Sequence, residues 1–505
     1  MRRLKDNEFD VIVIGGGATG AGTARDCSLR GLRVLLVERN DIATGATGRN
    51  HGLLHSGARY AVTDTESAAE CIRENMILKR IAKDCIENTK GLFITLPEDD
   101  PAYQTKLVEA CRKAGIKAKA IDPKEALRME PSVNPSLIGA VIVPDGAVDP
   151  FKLTAANMTD AKIHGAKVLT YSEVIDIVKD GNSVKGIKIR NKRTGEVDTF
   201  YAPITVNAGG IWGQGIARMA GAKITMFPAK GSLLIFGHRV NNVVINRCRK
   251  PANADILVPG ETISLIGTTS DRIPIEDVDK IRVTPEEVRI LLEEGQKLSP
   301  VLAQTRIIRA YCGVRPLVAA DDDPSGRNIS RGIVLLDHET RDGIRGFITI
   351  TGGKLMTYRL MAEWATDLVC RKLSICRRCV TAIRPLPGSA QEVNDGPKLR
   401  TNGTSLICEC EKVTLSRAEN AIDTQQVTNM IDLRRRTRLG MGTCQGELCA
   451  CRGAGLLARK KENPTRAKED LKTFINERWK GICPVCWGDS LRENEYTQWI
   501  YSHEI

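Results

Sequence analysis

The feature that most limits how this chain can fold is a glycine triplet, Gly15, Gly17 and Gly20, near its N-terminus. The triplet follows the apolar run DVIVIG, and residues 10–37 are predicted to form a strand, a turn, a helix and a second strand. In a G-x-G-x-x-G motif the first glycine permits a tight turn, the second lets a pyrophosphate approach the backbone, and the third lets helix and strand pack closely. The helix N-terminus then offers unpaired N–H groups to the phosphates. The pattern therefore predicts a dinucleotide site in an α/β domain.

Two further segments fit a dinucleotide. Glu38 ends the second strand, where a carboxylate can accept hydrogen bonds from ribose hydroxyls. Residues 43–60, ATGATGRNHGLLHSGARY, are rich in small residues that suit backbone contact with a flat ring, and a later strand ends in the small residues 207–210, NAGG. The fingerprint occurs once and at the start of the chain, so we expect one resident dinucleotide. These residues do not separate FAD from NAD, and an ordinary βα turn is the alternative.

Further patterns outline the rest of the chain. Residues 66–90 are expected to be helical, and short β-type runs over 228–275 predict an antiparallel sheet inserted between parts of the first domain. Residues 284–287, TPEE, have the pattern of a helix start. A last βα unit covers 346–373, and the stretch 384–404, rich in proline, glycine and polar residues, is expected to be an interdomain linker.

Charge and composition limit the classes of molecule that this chain is expected to bind. The formal net charge is +13, and most of the excess lies before residue 386, which favours an anionic substrate or membrane surface. A solvated basic surface is the alternative. Aromatic residues make up 4% of the chain and are not interleaved with basic runs, so we expect no nucleic-acid partner. No signal-peptide core and no apolar stretch of about 18 residues occurs, so we expect a cytoplasmic chain without a membrane span.

Seven of the 16 cysteines lie within residues 408–486. Cytoplasmic cysteines rarely form disulfides, and most of the other nine are expected to be small buried hydrophobes. Cys408-x-Cys410 precedes Cys444-x-x-x-x-Cys449, and four thiolates suit a [2Fe–2S] cluster and structural zinc alike. We expect the first two thiolates to reach one iron and the second two the other. The glycine-rich loop LGMGTCQGELC offers backbone N–H groups to the sulfurs.

The remaining C-terminal features have simpler interpretations. Cys451 is a spare thiol, and the spacings Cys376-x-x-Cys379 and Cys483-x-x-Cys486 are interpreted as structural. The run 434–436, RRR, is expected to be a solvated face, with docking of an electron acceptor as the alternative. The tail is expected to be a helix packed on its own domain, and a contact surface is the alternative.

Several stretches taken together carry a family resemblance. VIGGGATGAGTARD, HSGARY, NAGGIW, AYCGVRPL and ITGGKLMTYR resemble the FAD-dependent glycerol-3-phosphate dehydrogenases, and PDGAVDPFKLT and the cysteine motif extend the likeness to the large subunits of the anaerobic enzymes. The motif C-x-C…GMGxCQGxxC is similar to the bacterioferritin-associated-ferredoxin-like [2Fe–2S] domain. The likeness runs in order through nearly the whole chain. It implies a glutathione-reductase-like FAD-binding domain with an antiparallel-sheet substrate cap, followed by a small helical [2Fe–2S]-binding domain.

The resemblance gives domain limits and cofactor ligands. We expect an oxidoreductase domain over 1–383 with its cap mainly at about 80–200 and 220–320, the linker at 384–404, a cluster domain over 405–460 and a tail over 461–505. The implied iron ligands are Cys408, Cys410, Cys444 and Cys449. The expected FAD-binding residues are Gly15, Gly16, Gly17, Gly20, Glu38, Thr44, Thr47, Ala208, Gly209, Gly353 and Lys354.

The resemblance also implies that glycerol 3-phosphate is bound by Arg59, Tyr60, Arg315, Arg331 and Lys354. Arginine suits bidentate binding of phosphate and lysine acts as a point charge, although with 74 Lys and Arg any single one is as readily a surface charge. His55 and Arg315 are the candidate catalytic residues, His55 as the base. A histidine satisfied by the flavin environment is the alternative. Some family members have K-G-S-H where this chain has Leu233, which leaves the identity of the base open.

The predicted activity is oxidation of sn-glycerol 3-phosphate to dihydroxyacetone phosphate, with hydride transfer to FAD and one-electron steps through the [2Fe–2S] cluster. The resemblance implies partner flavin and iron–sulfur or membrane-anchor subunits that lead to a membrane quinone, with this chain peripheral on the cytoplasmic face of the inner membrane. Two alternatives stay open. One is an FAD dehydrogenase of an amino acid or a 2-hydroxy acid, and the other is a flavin-bearing binding module with structural zinc.

Overall fold

The computed structural model describes residues 6–318, 332–389 and 405–503. Its strands, in chain order, are β1 Val11–Ile14, β2 Val34–Val37, β3 Leu53–Leu54, β4 Ile86–Glu87, β5 Gly91–Thr95, β6 Lys119–Ile121, β7 Gly139–Val143, β8 Gly146–Val148, β9 Lys167–Leu169, β10 Ser172–Asp180, β11 Ser183–Asn191, β12 Val197–Tyr201, β13 Ile204–Asn207, β14 Met226–Phe236, β15 Val244–Arg247, β16 Ile256–Gly260, β17 Ile263–Gly267, β18 Asp271–Arg272, β19 Ile307–Val318, β20 Ile333–Asp337, β21 Phe347–Gly352, β22 Leu406–Cys408 and β23 Val413–Thr414.

The helices of the same regions follow in chain order. They are α1 Ala18–Leu29, α2 Ala58–Ala61, α3 Thr65–Ile81, α4 Ala102–Lys113, α5 Pro123–Met129, α6 Pro150–Ile163, α7 Gly213–Ala220, α8 Pro285–Leu298, α9 His338–Asp342, α10 Tyr358–Lys372, α11 Leu415–Thr424, α12 Met430–Thr437, α13 Ala450–Lys460, α14 Pro464–Ile482 and α15 Gly488–His503. Within these regions no helix is both long and apolar enough to span a bilayer.

A six-stranded sheet of order β20-β21-β13-β1-β2-β9 forms the nucleotide-binding layer. Its strands run parallel except β20, and β1, β2 and β13 are wholly buried, as expected for strands covered on both faces. Helices α1, α6 and α10 pack together beside it. Buried Arg25 joins α1 to Asp160 of α6, at 2.6 Å. The antiparallel sheet β10–β12 shares a second core with the central sheet. The predicted α/β fold class is confirmed.

The larger sheet is mostly antiparallel and corresponds to the predicted cap. It has the order β18-β14-β17-β16-β15-β5-β7-β6, and β19 pairs with β14 along eleven residue pairs. Helix α8 packs against this sheet and begins at Thr284 with a capping box, so the predicted helix start is confirmed. The cap sheet draws on 91–143 and 226–318, a narrower set than predicted. Residues 150–201 instead join the nucleotide-binding layer, because β9 pairs in parallel with β2 and α6 packs on α1.

The C-terminal elements form a small, mainly helical unit. Its core joins the hairpin β22–β23 to α11, α12, α13 and the buried Phe474 of α14. Helix α14 packs on α13 and also touches the cap, where Arg309 of β19 donates to the carbonyl of Glu477 at 3.1 Å. The predicted tail helix over 487–505 corresponds to α15, which packs on α14 and donates from Tyr501 to the carbonyl of Glu447 within its own unit. Ser490 of α15 also accepts a hydrogen bond from Arg306 of the cap at 3.0 Å. Of the predicted linker, residues 390–404 lie outside the described residues.

Helix α12 fastens this C-terminal unit to the nucleotide-binding layer. Arg435 and Arg436 both donate to Asp41, which is 1% exposed, at 3.0 and 2.5 Å. Burial by itself would raise the pKa of Asp41, but the two guanidinium groups outweigh it and lower that pKa. The prediction of a solvated arginine face is therefore wrong at these positions. The sequence pattern misled because the carboxylate that neutralises both arginines lies almost 400 residues earlier in the chain.

Substituting Asp41→Asn keeps the shape of the side chain but removes the charge between two buried arginines. Breaking a buried ion pair from one side costs roughly 3–5 kcal/mol, so we expect a clear loss in the free energy of unfolding measured by urea denaturation. Asp423→Asn is the matched control, because Asp423 pairs with Lys460 on the surface and exposed pairs are worth about 0–1 kcal/mol.

The stabilisation by Asp41 is also expected to depend on pH. Because its pKa is lowered in the folded state, the contribution is complete above the ordinary Asp pKa of about 3.9 and is lost as the pH falls below it. Equal unfolding midpoints for the Asp41→Asn and Asp423→Asn variants at pH 7 would contradict this account.

Candidate cofactor and substrate sites

The glycine loop after β1 is shaped by two close backbone contacts. Gly15 has φ +114°, and a Cβ there would lie 2.5 Å from the carbonyl oxygen of Ala208. A Cβ on Gly20 would lie 1.9 Å from the carbonyl oxygen of Gly15, so only glycine lets α1 pack this close to β1. Above Gly17 the nearest atom is the Thr47 hydroxyl oxygen, at 3.1 Å from an added Cβ. Gly15 and Gly20 thus allow the backbone segments to pack closely, and Gly17 leaves its own backbone open on the side of Thr47.

Helix α1 presents its N-terminus to that space. Its N-cap is Gly17, which has no capping side chain, and its first turn contains no acidic residue. The N–H of Ala18 donates to the Thr47 hydroxyl at 3.0 Å. A helix N-terminus with a partial positive charge and no carboxylate fits a pyrophosphate, so the residues present fit a dinucleotide.

Glu38 marks one end of the site. Its carboxylate accepts from the N–H of Gly16 at 2.6 Å and from the N–H of Asn40 at 2.8 Å. Burial raises the pKa of Glu38, and these two hydrogen bonds oppose that rise. Nearby, the guanidinium of Arg39 lies over the Trp212 ring, 4.1 Å from its centroid. This end offers an acid and a flat aromatic surface, as a ribose and an adenine require.

An elongated cavity of about 490 Å³ runs from Glu38 and Trp212 to the cap strand β19. Twelve of the predicted site residues line it: Gly15, Gly17, Glu38, Thr44, Thr47, His55, Tyr60, Ala208, Gly209, Arg315, Gly353 and Lys354. Gly16 and Gly20 lie behind this surface. Arg59 is not among the lining residues, and its guanidinium instead donates to Asp255 at 3.1 Å. Arg331 lies outside the described residues.

The end of the cavity nearest the cap carries the cations. Arg315 donates to the Thr268 hydroxyl and to the carbonyl of Thr269, which orients its guanidinium. The Lys354 ammonium lies 4.6 Å from the centroid of the Tyr60 ring. Two cations and a phenol at one end of a dinucleotide cavity are suited to a small anionic substrate.

Two histidines lie between the cations and the glycine loop. His55 is 7% exposed, with its ring centroid 5.5 Å from that of Tyr60. His51, which the sequence motifs did not single out, also lines the cavity. Burial and then the charges of Arg315 and Arg59 lower the pKa of His51 to about 3, so this imidazole is neutral at pH 7. Its Nδ1 accepts from the N–H of Leu53 at 3.1 Å, which leaves the proton on Nε2. The signal for His51 was its place in the same glycine-rich segment as His55.

Leu233, where some relatives of the family carry a histidine, is fully buried in the cap. Lys230, three residues before Leu233, is 8% exposed and pairs with Glu287 at 2.7 Å. Neither side chain is therefore available as a base.

The four predicted cluster ligands lie together in the C-terminal unit. Cys410 and Cys444 have their sulfurs 3.6 Å apart, and Cys408 contacts Cys449. Each contact joins one thiol of the C-x-C pair to one of the later pair. Among the residues described, no three His, Cys, Asp or Glu side chains converge on a point that would hold a single metal ion. Four thiols gathered at one place are the donor set of a two-iron cluster and also of structural zinc.

The loop around these sulfurs supplies backbone hydrogen bonds. The hydrogen bond with Cys449 lowers the pKa of Cys408 to about 6 despite burial, and backbone N–H groups of Gly440 and Glu411 add to the effect, whereas the same contact raises the pKa of Cys449. A Cβ on Gly442 would lie 2.5 Å from the Cβ of Cys410, so glycine is needed where the loop passes the thiol. Thiolates held by backbone N–H groups are the state in which sulfur binds iron.

The other thiols lie apart from these four. Cys451 is exposed at the start of α13. Cys379 is hydrogen-bonded with Thr381 at 3.0 Å, and Cys486 accepts from Asn494 at 3.6 Å. Seven of the nine cysteines before residue 380 are buried, as expected for small apolar side chains.

Comparison with known proteins gives two family matches. Residues 10–359 match the FAD dependent oxidoreductase family, and residues 406–459 match the BFD-like [2Fe-2S] binding domain. The second match contains all four cysteines described above.

Individual relatives cover nearly the whole chain. The chain is 62% identical to a subunit of the anaerobic glycerol-3-phosphate dehydrogenase of Escherichia coli, over 99% of this chain and 97% of the relative. It is 40% identical to the corresponding subunit from Haloferax volcanii, over 97% and 90%. Among solved structures, the glycerol-3-phosphate dehydrogenase from Bacillus halodurans complexed with FAD has the same fold, with a TM-score of 0.67 at 22% identity over 96% of this chain and 97% of that one. The chain therefore belongs to the FAD-dependent oxidoreductases and, within them, to the family formed by these subunits of the anaerobic glycerol-3-phosphate dehydrogenases.

Proposed function

We propose that this enzyme oxidises sn-glycerol 3-phosphate to dihydroxyacetone phosphate and passes the electrons to a C-terminal [2Fe–2S] cluster. The observation that carries the proposal is the presence of Arg315, Lys354 and Tyr60 in the wall of the same cavity as the glycine loop and Glu38, which fit a dinucleotide. The names of the relatives support the substrate, because they are glycerol-3-phosphate dehydrogenases. When bound, FAD supplies the acceptor for a hydride from the secondary alcohol carbon.

Each residue at this end has a distinct task. Arg315 is oriented by Thr268 and Thr269 and would bind the phosphate as a fork, with Lys354 as a second cation. His51 is neutral with its proton on Nε2, so it would donate a hydrogen bond toward the reacting oxygen. His55 is the candidate base for the hydroxyl proton. Arg59, paired with Asp255, would act on the site only through its field at His51.

The C-terminal unit would take electrons one at a time through the cluster held by Cys408, Cys410, Cys444 and Cys449. The arginines of α12 fasten this unit to Asp41, between Glu38 and Thr44 in the cofactor loop. We further propose that partner subunits accept these electrons and lead them to a membrane quinone, with this chain held peripherally at the cytoplasmic face of the inner membrane. The relatives are each named as one subunit of their enzyme, which supports the existence of further subunits.

Replacing Arg315 tests the phosphate site. Arg315→Met removes charge-assisted hydrogen bonds worth about 1.5–3 kcal/mol, so kcat/KM for glycerol 3-phosphate with a dye acceptor should fall by about 10- to 100-fold, mainly through KM. Lys280→Met is the control, because Lys280 is a surface cation with a 75% exposed side chain. Faster oxidation of an amino acid or a 2-hydroxy acid than of glycerol 3-phosphate by the unmodified enzyme would overturn the substrate assignment.

Replacing Cys408 tests the cluster. Cys408→Ser removes a buried ligand, so the visible iron–sulfur bands and the electron resonance signal of the reduced protein should be lost. Bleaching of the flavin by glycerol 3-phosphate under anaerobic conditions should remain. Cys451→Ser is the matched control, since Cys451 is an exposed thiol of the same domain. If Cys451→Ser lost the cluster and Cys408→Ser kept it, the ligand assignment would be wrong, and zinc in place of iron would overturn the electron-transfer proposal.

A further inference from the structure

A second cavity lies between the cofactor loop, the cap and the C-terminal unit. It encloses about 430 Å³ and shares Thr44, Arg49, Asn50 and His51 with the wall of the first cavity. Apolar side chains from the different units form much of its surface, among them Ile86, Val148, Phe151, Ile263, Leu265, Ile431 and Met441. It therefore adjoins the cofactor cavity at the loop whose residues line both.

One cation in this cavity forms no ion pair with a carboxylate of the described residues, and the negative charges that act on it, those of Glu477 and Cys449, are more distant. Arg434 is 9% exposed and forms no ion pair with any carboxylate of the described residues. Its Nε is buried without a hydrogen-bond partner, and its guanidinium has only a 3.5 Å contact with the Gln445 amide oxygen and a place 5.9 Å from the centre of the Phe474 ring. A buried guanidinium without an anion is costly, so this position calls for an explanation.

The other arginines of the same helix region differ from Arg434. Arg435 and Arg436 bind Asp41, and Arg438 binds Asp149 and Glu411 at 2.9 and 2.6 Å. Among these four arginines, Arg434 alone has a buried nitrogen without a hydrogen-bond partner.

A second buried arginine, Arg309, adds positive charge to the wall of the same cavity. Arg309 of β19 also lines the cavity, is 8% exposed, and shares the Gln445 oxygen with Arg434 at 3.4 Å. Burial lowers the pKa of both arginines, and the charge of Arg309 lowers that of Arg434 further. The nearest carboxylate, Glu477, is 3.6 Å from Arg309 and its side chain is 43% exposed.

The acidic residues around the same cavity are mostly engaged elsewhere. Glu87 binds Arg239, Glu261 binds Lys152 at 2.9 Å, and Asp149 binds Arg438. Asp84, which also borders the cavity, is exposed to solvent. Arg434 thus has no carboxylate partner and Arg309 has only the half-exposed Glu477, and both arginines lie beside apolar walls.

We propose that this interdomain cavity is a binding site for a small anion with an apolar body, a carboxylate or a phosphate ester, whose oxyanion pairs with Arg434 and Arg309. The oxyanion pairs with the guanidinium of Arg434, which forms no ion pair with a carboxylate of the described residues, and the apolar part packs on Phe151, Leu265 and Met441. An occupant touches the cap, the cofactor loop and α12 together, so it stabilises the docked position of the C-terminal unit.

Binding of benzoate and phenyl phosphate, with benzamide as the neutral isostere, tests this site by calorimetry. The experiment uses the enzyme with FAD and cluster in place and carries Arg315→Met, which weakens anion binding at the substrate site but leaves Lys354 there, so the Arg434→Gln and Ile431→Trp variants decide where the anion binds. At least one of the two anions should bind, with benzamide weaker by about tenfold or more, since benzamide lacks the charge-assisted bonds. Comparing the two anions identifies which oxyanion the site prefers.

Two variants test whether the anion binds in this cavity. Arg434→Gln removes the charge and Ile431→Trp fills the cavity while leaving both arginines in place, and each should weaken anion binding by about tenfold or more. Arg459→Gln makes the same charge change at a side chain that is 69% exposed and should leave binding unaltered. Visible spectra verify that each variant retains FAD and cluster.

Failure of both anions to bind, or unaltered binding by Arg434→Gln and Ile431→Trp, overturns the proposal. A shift of the cluster potential in Arg434→Gln with no change in anion binding also overturns it, because the guanidinium would then serve the neighbouring Cys449 thiolate. Binding is measured without turnover, so the outcome is independent of whether glycerol 3-phosphate is the substrate.

Discussion

The ion pairs between Asp41 and the arginines of α12 join the C-terminal unit to the nucleotide-binding layer. Asp41 lies three residues after Glu38 and three before Thr44, so the carboxylate that anchors the C-terminal unit belongs to the loop that lines the cofactor cavity. A buried carboxylate between two guanidinium groups is stable only while all three remain together, because each would otherwise be an unpaired buried charge. The position of the cluster domain and the shape of the cofactor loop are thus set by the same contact.

The loop from Glu38 to His55 therefore has several neighbours that constrain one another. Thr47 accepts the first amide of α1, the carbonyl of Asn50 accepts from Tyr311 of the cap at 2.7 Å, and His51 faces both cavities. A segment held at this many points does not need regular secondary structure to be well defined. Small residues suit it, because their backbone can approach the pyrophosphate, the cap and α6 at the same time. A Cβ on Gly48, for example, would lie 2.6 Å from the Phe151 ring.

Local patterns in the sequence predicted the elements whose causes are local. The glycine triplet, the capping box at Thr284 and the clustered cysteines each depend on residues within a short stretch, and the structure contains all three features. The sequence did not predict the burial of Arg436 or the pairing of Arg59 with Asp255, because the partners are 395 and 196 residues away. A charge run is ambiguous until its countercharges are known. For the same reason, the sequence did not show that residues 150–201, predicted as part of the cap, would join the nucleotide-binding layer, since β9 pairs with a strand far earlier in the chain.

The small, mainly helical cysteine domain is held against the oxidoreductase domain by several polar contacts. Its own core is limited to β22, β23 and α11 to α14, but its contacts with the rest of the chain include Asp41, Tyr171 and Thr262 of the oxidoreductase domain. Tyr171 donates to Asp432 at 2.6 Å, and burial together with that carboxylate raises the pKa of the phenol, so the tyrosine keeps the proton it donates. Electron transfer between two carriers needs a fixed separation. Here polar contacts of defined geometry link the two units, and such contacts fix the orientation of the units as well as their distance.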